Sequence, residues 1–171
     1  MELLDTFNQH EIPLDILWLD IEYAPEKRYF IFDQKRFEDL EALTNRIENE
    51  QKRLTVITDP HVKVDPEFFV YSEGKEVQMY VSNDGIVVKG AFVLDSDGKE
   101  EFVGDCWPKS SVWIDFLNEN AKNFWSSLYS YDKFRGTNRN FGFWIDMNEP
   151  SVFNGDELTM PKDNIHVTAD G

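Results

Sequence analysis

A chain of 171 residues, 41% of them hydrophobic, is long enough for one domain with a sizeable core. Its formal net charge of −16 argues against nucleic acid or an anionic membrane as a partner, because their phosphates would repel it. Cys106 is the one cysteine, so there is no internal disulfide, and no apolar run approaches membrane-spanning length.

Residues 2–10 predict a short helix with Leu3, Leu4 and Phe7 on one face, and they carry no stretch of signal-peptide type. Ile12-Pro13 breaks it. Residues 14–21 read as a buried strand ending at Asp20, with Glu22 close behind. Residues 29–33 form an aromatic loop or short strand. Helical spacing of Phe37, Leu40, Leu43 and Ile47 then predicts a helix over 34–53, with Asp33 as its N-cap. Residues 54–59 are the next strand, and Pro60 prevents its continuation as a central strand. A strand, an amphipathic helix and a strand make a parallel crossover unit.

Residues 65–105 have a different texture. Short strands are predicted over 77–81, 86–88 and 91–94, with turn chemistry at Asn83-Asp84-Gly85 and Asp95-Ser96-Asp97-Gly98. They read as a small hairpin excursion on the main fold, closed by Cys106-Trp107-Pro108. Residues 115–131 look helical, with Phe116, Leu117, Ala121, Phe124, Trp125 and Leu128 on the apolar side. A polar loop leads into Phe141-Gly142-Phe143-Trp144-Ile145-Asp146, an apolar strand that stops at an acid before a Pro-containing loop. On such a strand Trp144, Asp146 and Asn148 share one face, and Phe143, Ile145 and Met147 the other.

Three strands thus end at Trp18-Leu19-Asp20, Ile57-Thr58-Asp59 and Trp144-Ile145-Asp146. In a parallel α/β sheet or barrel all strand C-termini lie at one mouth, where active sites are built. The plainer reading of each Asp is a helix cap or turn anchor. Clustered carboxylates either bind a divalent cation or cleave glycosidic bonds. The Asp95–Gly98 run lacks the terminal Glu of a calcium loop, and His10, His61 and His166 are scattered, so no metal or other cofactor is expected. His61 lines the mouth or sits on a surface loop. Trp18, Trp107 and Trp144 suit stacking on sugar rings, with core packing as the alternative. No nucleophile elbow, phosphate-cradling glycine loop or zinc spacing is present.

Trp144-Ile145-Asp146-Met147-Asn148-Glu149-Pro150-Ser151-Val152-Phe153-Asn154-Gly155 resembles the nucleophile signature of glycoside hydrolase family 31. Trp18-Leu19-Asp20-Ile21-Glu22-Tyr23 is similar to its upstream substrate-binding strand. Asp59-Pro60-His61-Val62-Lys63-Val64-Asp65 and Gly104-Asp105-Cys106-Trp107-Pro108 are most similar to the glucosidase II catalytic branch of that family. The resemblance runs over nearly the whole chain. It implies a (β/α)8 barrel and an α-glucosidase working by retaining double displacement on an oligosaccharide. By the same resemblance Asp146 takes the nucleophile position and Asp20 that of the acid bonding the sugar hydroxyls. Ile21, Ile57, Trp107, Trp144, Met147 and Phe153 fall where the family lines the pocket, and Asp59 and Glu149 where they would support it. A beta-subunit partner and the endoplasmic reticulum lumen follow on the same footing.

Three departures accompany the resemblance. Lys109 stands where the family has Gly after Trp-Pro, which puts a bulky charge in a tight turn. Trp113-Ile114-Asp115-Phe116 replaces Tyr-Pro-Asp-Phe, and residues 74–101 align loosely. The family's acid/base lies beyond the position of Gly171. The expectation is a partial catalytic barrel over residues 1–171, about strands two to four, with 65–105 as an insertion, inert and poorly stable alone. From the residues alone Asp20 or Glu149 would be the leaving-group acid; the resemblance assigns neither. A non-catalytic or vestigial carbohydrate-binding chain, or another family 31 α-glycosidase, is the alternative.

Overall fold

The structure is a computed structural model that describes residues 2–81 and 87–168. In chain order α1 (Glu2–Gln9), β1 (Ile16–Leu19), α2 (Leu40–Asn49) and β2 (Arg53–Ile57) make the first crossover unit. An insertion follows, with β3 (His61–Lys63), α3 (Phe69–Lys75), β4 (Gln78–Val81), β5 (Val87–Lys89), β6 (Gly104–Cys106) and β7 (Lys109–Trp113). Then α4 (Glu119–Ser127) returns the chain to β8 (Phe141–Trp144). Among the described residues no helix is long and apolar enough to cross a membrane.

β1, β2 and β8 form one sheet in that order, and both pairings are parallel. Trp18 lies opposite Thr55, Thr55 opposite Gly142, and Ile57 opposite Trp144. Because alternate residues face opposite sides, Leu54, Val56 and Phe141 point to the helices and Ile16, Trp18, Thr55 and Trp144 to the other side. The helix side is the main core. There Leu54 and Val56 share a cluster with Ile47 of α2 and with Ala121 and Trp125 of α4. The loops around the sheet fill this core with rings: Phe134, fully buried, meets Tyr23, Phe30, Phe32 and Phe143 at centroid distances of 5.3–6.1 Å. On the opposite face Ile16, Trp18, Thr55 and Trp144 line an open groove of about 330 Å³.

Local pattern and structure part company in several places. The first strand is short and not buried: Trp18 is 59% exposed, since β1 is at the edge of the sheet and its inner face opens on the groove. Helix α2 begins at Leu40 instead of 34. Asp39 caps it by accepting from the Ala42 N–H at 2.8 Å. Asp33 accepts from the N–H groups of Lys35 and Arg36, which closes a turn and not a helix. β8 stops at Trp144, and Met147 takes a φ of +59°. The expected two-residue alternation through Asn148 therefore breaks; the Ser151 N–H instead reaches back to the Met147 carbonyl at 3.0 Å.

The insertion is larger than a hairpin. β4 and β5 pair antiparallel, while the Asn83-Asp84-Gly85 turn lies outside the described residues. α3 precedes them, and β3, β7 and β6 build an antiparallel sheet that runs from His61 to Trp113 in sequence. Residues 91–94, expected as a strand, pair only through single bridges such as Phe92 with Ile114. The Phe92 ring occupies the place a Cβ on Gly74 would need, 2.6 Å away, so α3 docks there only because residue 74 is Gly. α4 starts at Glu119. Asn118 caps it through Oδ1, while its Nδ2 donates to the carbonyls of Met79 and Val167. Asp115, the expected start of that helix, holds His166 Nδ1 and the Val167 N–H, each at 2.7 Å.

Trp107-Pro108 form the two-residue turn between β6 and β7, and Lys109 closes it with φ +78°. A side chain in the left-handed region costs about 1–2 kcal/mol that Gly does not incur. Lys109→Gly is expected to stabilise the chain by about 1 kcal/mol in urea denaturation. An unchanged or lower midpoint would show that the turn carries no strain.

Candidate active site

Since the sheet is parallel, the segments after β1, β2 and β8 leave it at the same edge. Asp20 is exposed and accepts from the Ile21 N–H at 2.7 Å through Oδ1, capping the short 3-10 turn Ile21–Tyr23. The cap reading therefore describes one of its two oxygens. Asp146 is half-buried, and among the described residues its carboxylate meets no hydrogen-bond donor. Glu149 is exposed and accepts from Ser151 Oγ at 2.9 Å, within the loop that follows Asp146.

Asp59 is different: it is 0% exposed. Tyr29 donates its hydroxyl to Asp59 Oδ2 at 2.9 Å, and His61 Nε2 lies 3.1 Å from the same hydroxyl. His61 is also 0% exposed, in β3 opposite Trp113, so it is neither a surface-loop residue nor a mouth-lining one. Burial pushes the Asp59 carboxyl up to about 7; the Tyr29 hydrogen bond works against this, and the charges of Asp146, Asp20 and Glu149 add to it. The three acids that act on Asp59 follow the ends of the adjacent parallel strands β1 and β8. Burial pushes His61 down to about 3, which leaves the ring neutral. Burial also raises the Cys106 thiol to about 12, with Asp59 and Glu149 contributing. Among the described residues no group of His, Cys, Asp and Glu is arranged to hold a metal ion.

Two aromatic pairs flank the edge. Trp18 and Trp144 meet edge to face at 5.1 Å on the inner side of the sheet. Trp107, at the tip of the β6–β7 turn, meets Phe153 at 4.9 Å, and both rings stay over 40% exposed. Two backbone ties fix the loop after Asp146 to β6: the Phe153 N–H donates to the Asp105 carbonyl, and the Asp105 N–H to Asn154 Oδ1, each at 2.8 Å. Met147 packs on a second core cluster of Val93, Cys106, Trp113 and Val152. Ile21 and Ile57, expected as pocket lining, are buried in the main core. The insertion sheet thus supports the Asp146 loop from behind. Local pattern missed Tyr29 and Trp113, and it singled out His61 after Asp59-Pro60 but placed it at the mouth or on a surface loop.

A carboxylate with no donor among the described residues, further acids near the same strand edge and exposed flat rings together make a site fit for sugar chemistry. Residues 1–170 match the family model described as the glycosyl hydrolases family 31 TIM-barrel domain. This chain belongs to glycoside hydrolase family 31. It is 40% identical over 160 residues to the glucosidase 2 subunit alpha of Schizosaccharomyces pombe, covering 94% of the chain and 16% of that relative. A crystal structure of a glucosidase II alpha subunit in its DNJ-bound form superposes with a TM-score of 0.84 at 42% identity, over 96% of the chain and 16% of the other. A second, of an ER glucosidase II heterodimeric complex of the catalytic subunit with the binding domain of the regulatory subunit, gives the same TM-score and identity over 17% of its chain. The chain therefore spans about a sixth of the length of these family 31 relatives. The family's TIM-barrel architecture accounts for the parallel order β1-β2-β8 with helices on one side.

Proposed function

We propose that β1, β2 and β8 are strands two to four of the (β/α)8 barrel of a retaining α-glucosidase, with Asp146 as its nucleophile. The domain reading is a partial catalytic barrel over residues 1–171, with the segment between β2 and α4 inserted in it. One observation carries the proposal: two residues past the C-terminal end of β8, at the common strand edge, the Asp146 carboxylate meets no donor among the described residues. A carboxylate oxygen of Asp146 attacks the anomeric carbon of a terminal α-linked glucose, and the bond to the leaving oxygen breaks as that oxygen is protonated. Water then hydrolyses the glucosyl ester, and two inversions retain the configuration.

Asp20 accepts from the sugar hydroxyls through the oxygen its cap leaves free. Trp107, Trp144, Met147 and Phe153 line the pocket, Ile21 and Ile57 back it, and Asp59 and Glu149 support the acid cluster. Neither Asp20 nor Glu149 is assigned as the leaving-group acid. Loss of such an acid lowers the rate by roughly 100- to 10,000-fold. N-linked glycans as the substrate class follow from the glucosidase II resemblance alone; the ER glucosidase II complex of a catalytic with a regulatory subunit supports a beta-subunit partner and the endoplasmic reticulum lumen as the compartment. No cofactor is needed for this chemistry.

A fluorinated glucosyl donor that forms a long-lived ester, applied to the polypeptide with a complete barrel, is expected to label the peptide that carries Asp146. A label on another residue would move the nucleophile. No label, with sugar binding retained, would favour a carbohydrate-binding role.

A further inference from the structure

Behind the strand edge the chain buries a polar trio whose hydrogen-bond accounts do not close. Tyr29 has one hydroxyl proton and two neighbours, Asp59 Oδ2 at 2.9 Å and His61 Nε2 at 3.1 Å. If the proton goes to the carboxyl, His61 carries its own proton on Nε2 and donates to the Tyr29 oxygen. That leaves His61 Nδ1 as a bare acceptor. Asp59 Oδ1 and Trp113 Nε1 are buried beside no partner either. A carboxylate in such a place, with one oxygen bare, would be costly; a carboxyl group that holds its proton is less so.

The surroundings point the same way. Three acids act on Asp59, namely Asp146, Asp20 and Glu149. The hydroxyls of Tyr23, Tyr29 and Tyr129 and the Cys106 thiol are all raised by burial and stay uncharged. His61 is neutral and supplies no cation. A carboxyl near other acids keeps its proton most readily where solvation is poorest. Asp20 and Glu149 are exposed and Asp146 half-buried, whereas Asp59 is fully enclosed.

We propose that Asp59 is a positioning residue for the chemistry at Asp146: it is a buried carboxyl that holds its proton, and so places a neutral hydrogen-bonding group, and not a further charge, behind the strand edge. This rests on the reading of Asp146 as nucleophile. Tyr29 orients the carboxyl and His61 backs Tyr29, so the insertion strand β3 becomes part of the site's electrostatic support.

The test is a carboxyl titration of the polypeptide with a complete barrel, labelled with ¹³C at the aspartate Cγ. The Asp59 resonance is assigned by its loss in Asp59→Asn, or by its displacement in Tyr29→Phe should the first variant not fold. It is expected to titrate near pH 7, a proton affinity roughly 1,000-fold above that of a free aspartate. Removing the Tyr29 hydroxyl is expected to move the midpoint higher, since that bond favours the ionised form. Titration of Asp59 below pH 5, or a neutral-range step carried by Asp146 or Glu149, would overturn the proposal. If Asp146 is labelled by the glucosyl donor while Asp59 titrates as an ordinary acid, this inference alone fails. If Asp59 holds the neutral step and Asp146 is never labelled, the proton seat stands and the catalytic reading falls.

Discussion

Asp146→Ala, in the polypeptide with a complete barrel, is expected to lower turnover of a nitrophenyl α-glucoside by about 10,000-fold or more. Removing a nucleophile that forms a covalent intermediate abolishes the pathway and leaves only residual binding effects, and losses of that order are typical. The fold should be indifferent. The side chain is half-buried and forms no hydrogen bond to the described residues, so stability should change by less than about 0.5 kcal/mol. Its neighbour should respond, however. The Asp146 charge raises the Asp59 carboxyl, so its removal should lower the Asp59 midpoint. Turnover within tenfold of the parent, with a melting curve unchanged, would rule out Asp146 as the nucleophile.

The second large effect is on stability against pH. In the folded chain burial holds Asp59 near 7, against about 3.9 in the unfolded chain. Below about pH 4 both states hold the proton and Asp59 makes its full contribution. As pH rises the unfolded state loses the proton first, so folding stability falls until the folded carboxyl also ionises near 7. Each pH unit in that window is worth about 1.4 kcal/mol. His61 works in the opposite sense, because its folded value is depressed to about 3 and its contribution is lost as pH falls. The informative quantity is therefore the stability of Asp59→Asn minus that of the parent, in which His61 is common. Asn carries no titrating proton and still offers Tyr29 an acceptor. Between pH 5 and pH 8 this difference is expected to grow in favour of the variant by about 3 kcal/mol, read from urea denaturation at each pH. A difference that stays constant across the range would mean that Asp59 ionises with the ordinary acids.

Several elements were legible in the chain itself. The helix over residues 2–9, strand β2, the centre of α4 and the approach to Asp146 all follow from short-range apolar spacing and from Pro or Asp stops. The same stops located the three acids that the parallel sheet gathers at one edge. The long signature around Asp146 points to family 31, the family to which the chain belongs. Errors came where one local device imitated another. Asp33 has the chemistry of an N-cap, yet it closes a turn six residues ahead of the cap that is used. The alternation beyond Trp144 looks strand-like, yet Met147 adopts a left-handed φ and ends it.

What the chain's own pattern determined was which groups are available and roughly where the backbone stops: acids after apolar runs, with indoles beside them. This information is local, since periodicity and turn chemistry act over a few residues. What only the tertiary structure decided was the state of those groups. His61 is drawn into β3 by pairing with Trp113, whose position depends on the long insertion between them. That pairing buries His61 behind Tyr29 and Asp59, and burial separates an acid that keeps its proton from exposed ones of the same chemistry. Solvation depends on everything that packs around a side chain, and no stretch of neighbouring residues specifies it.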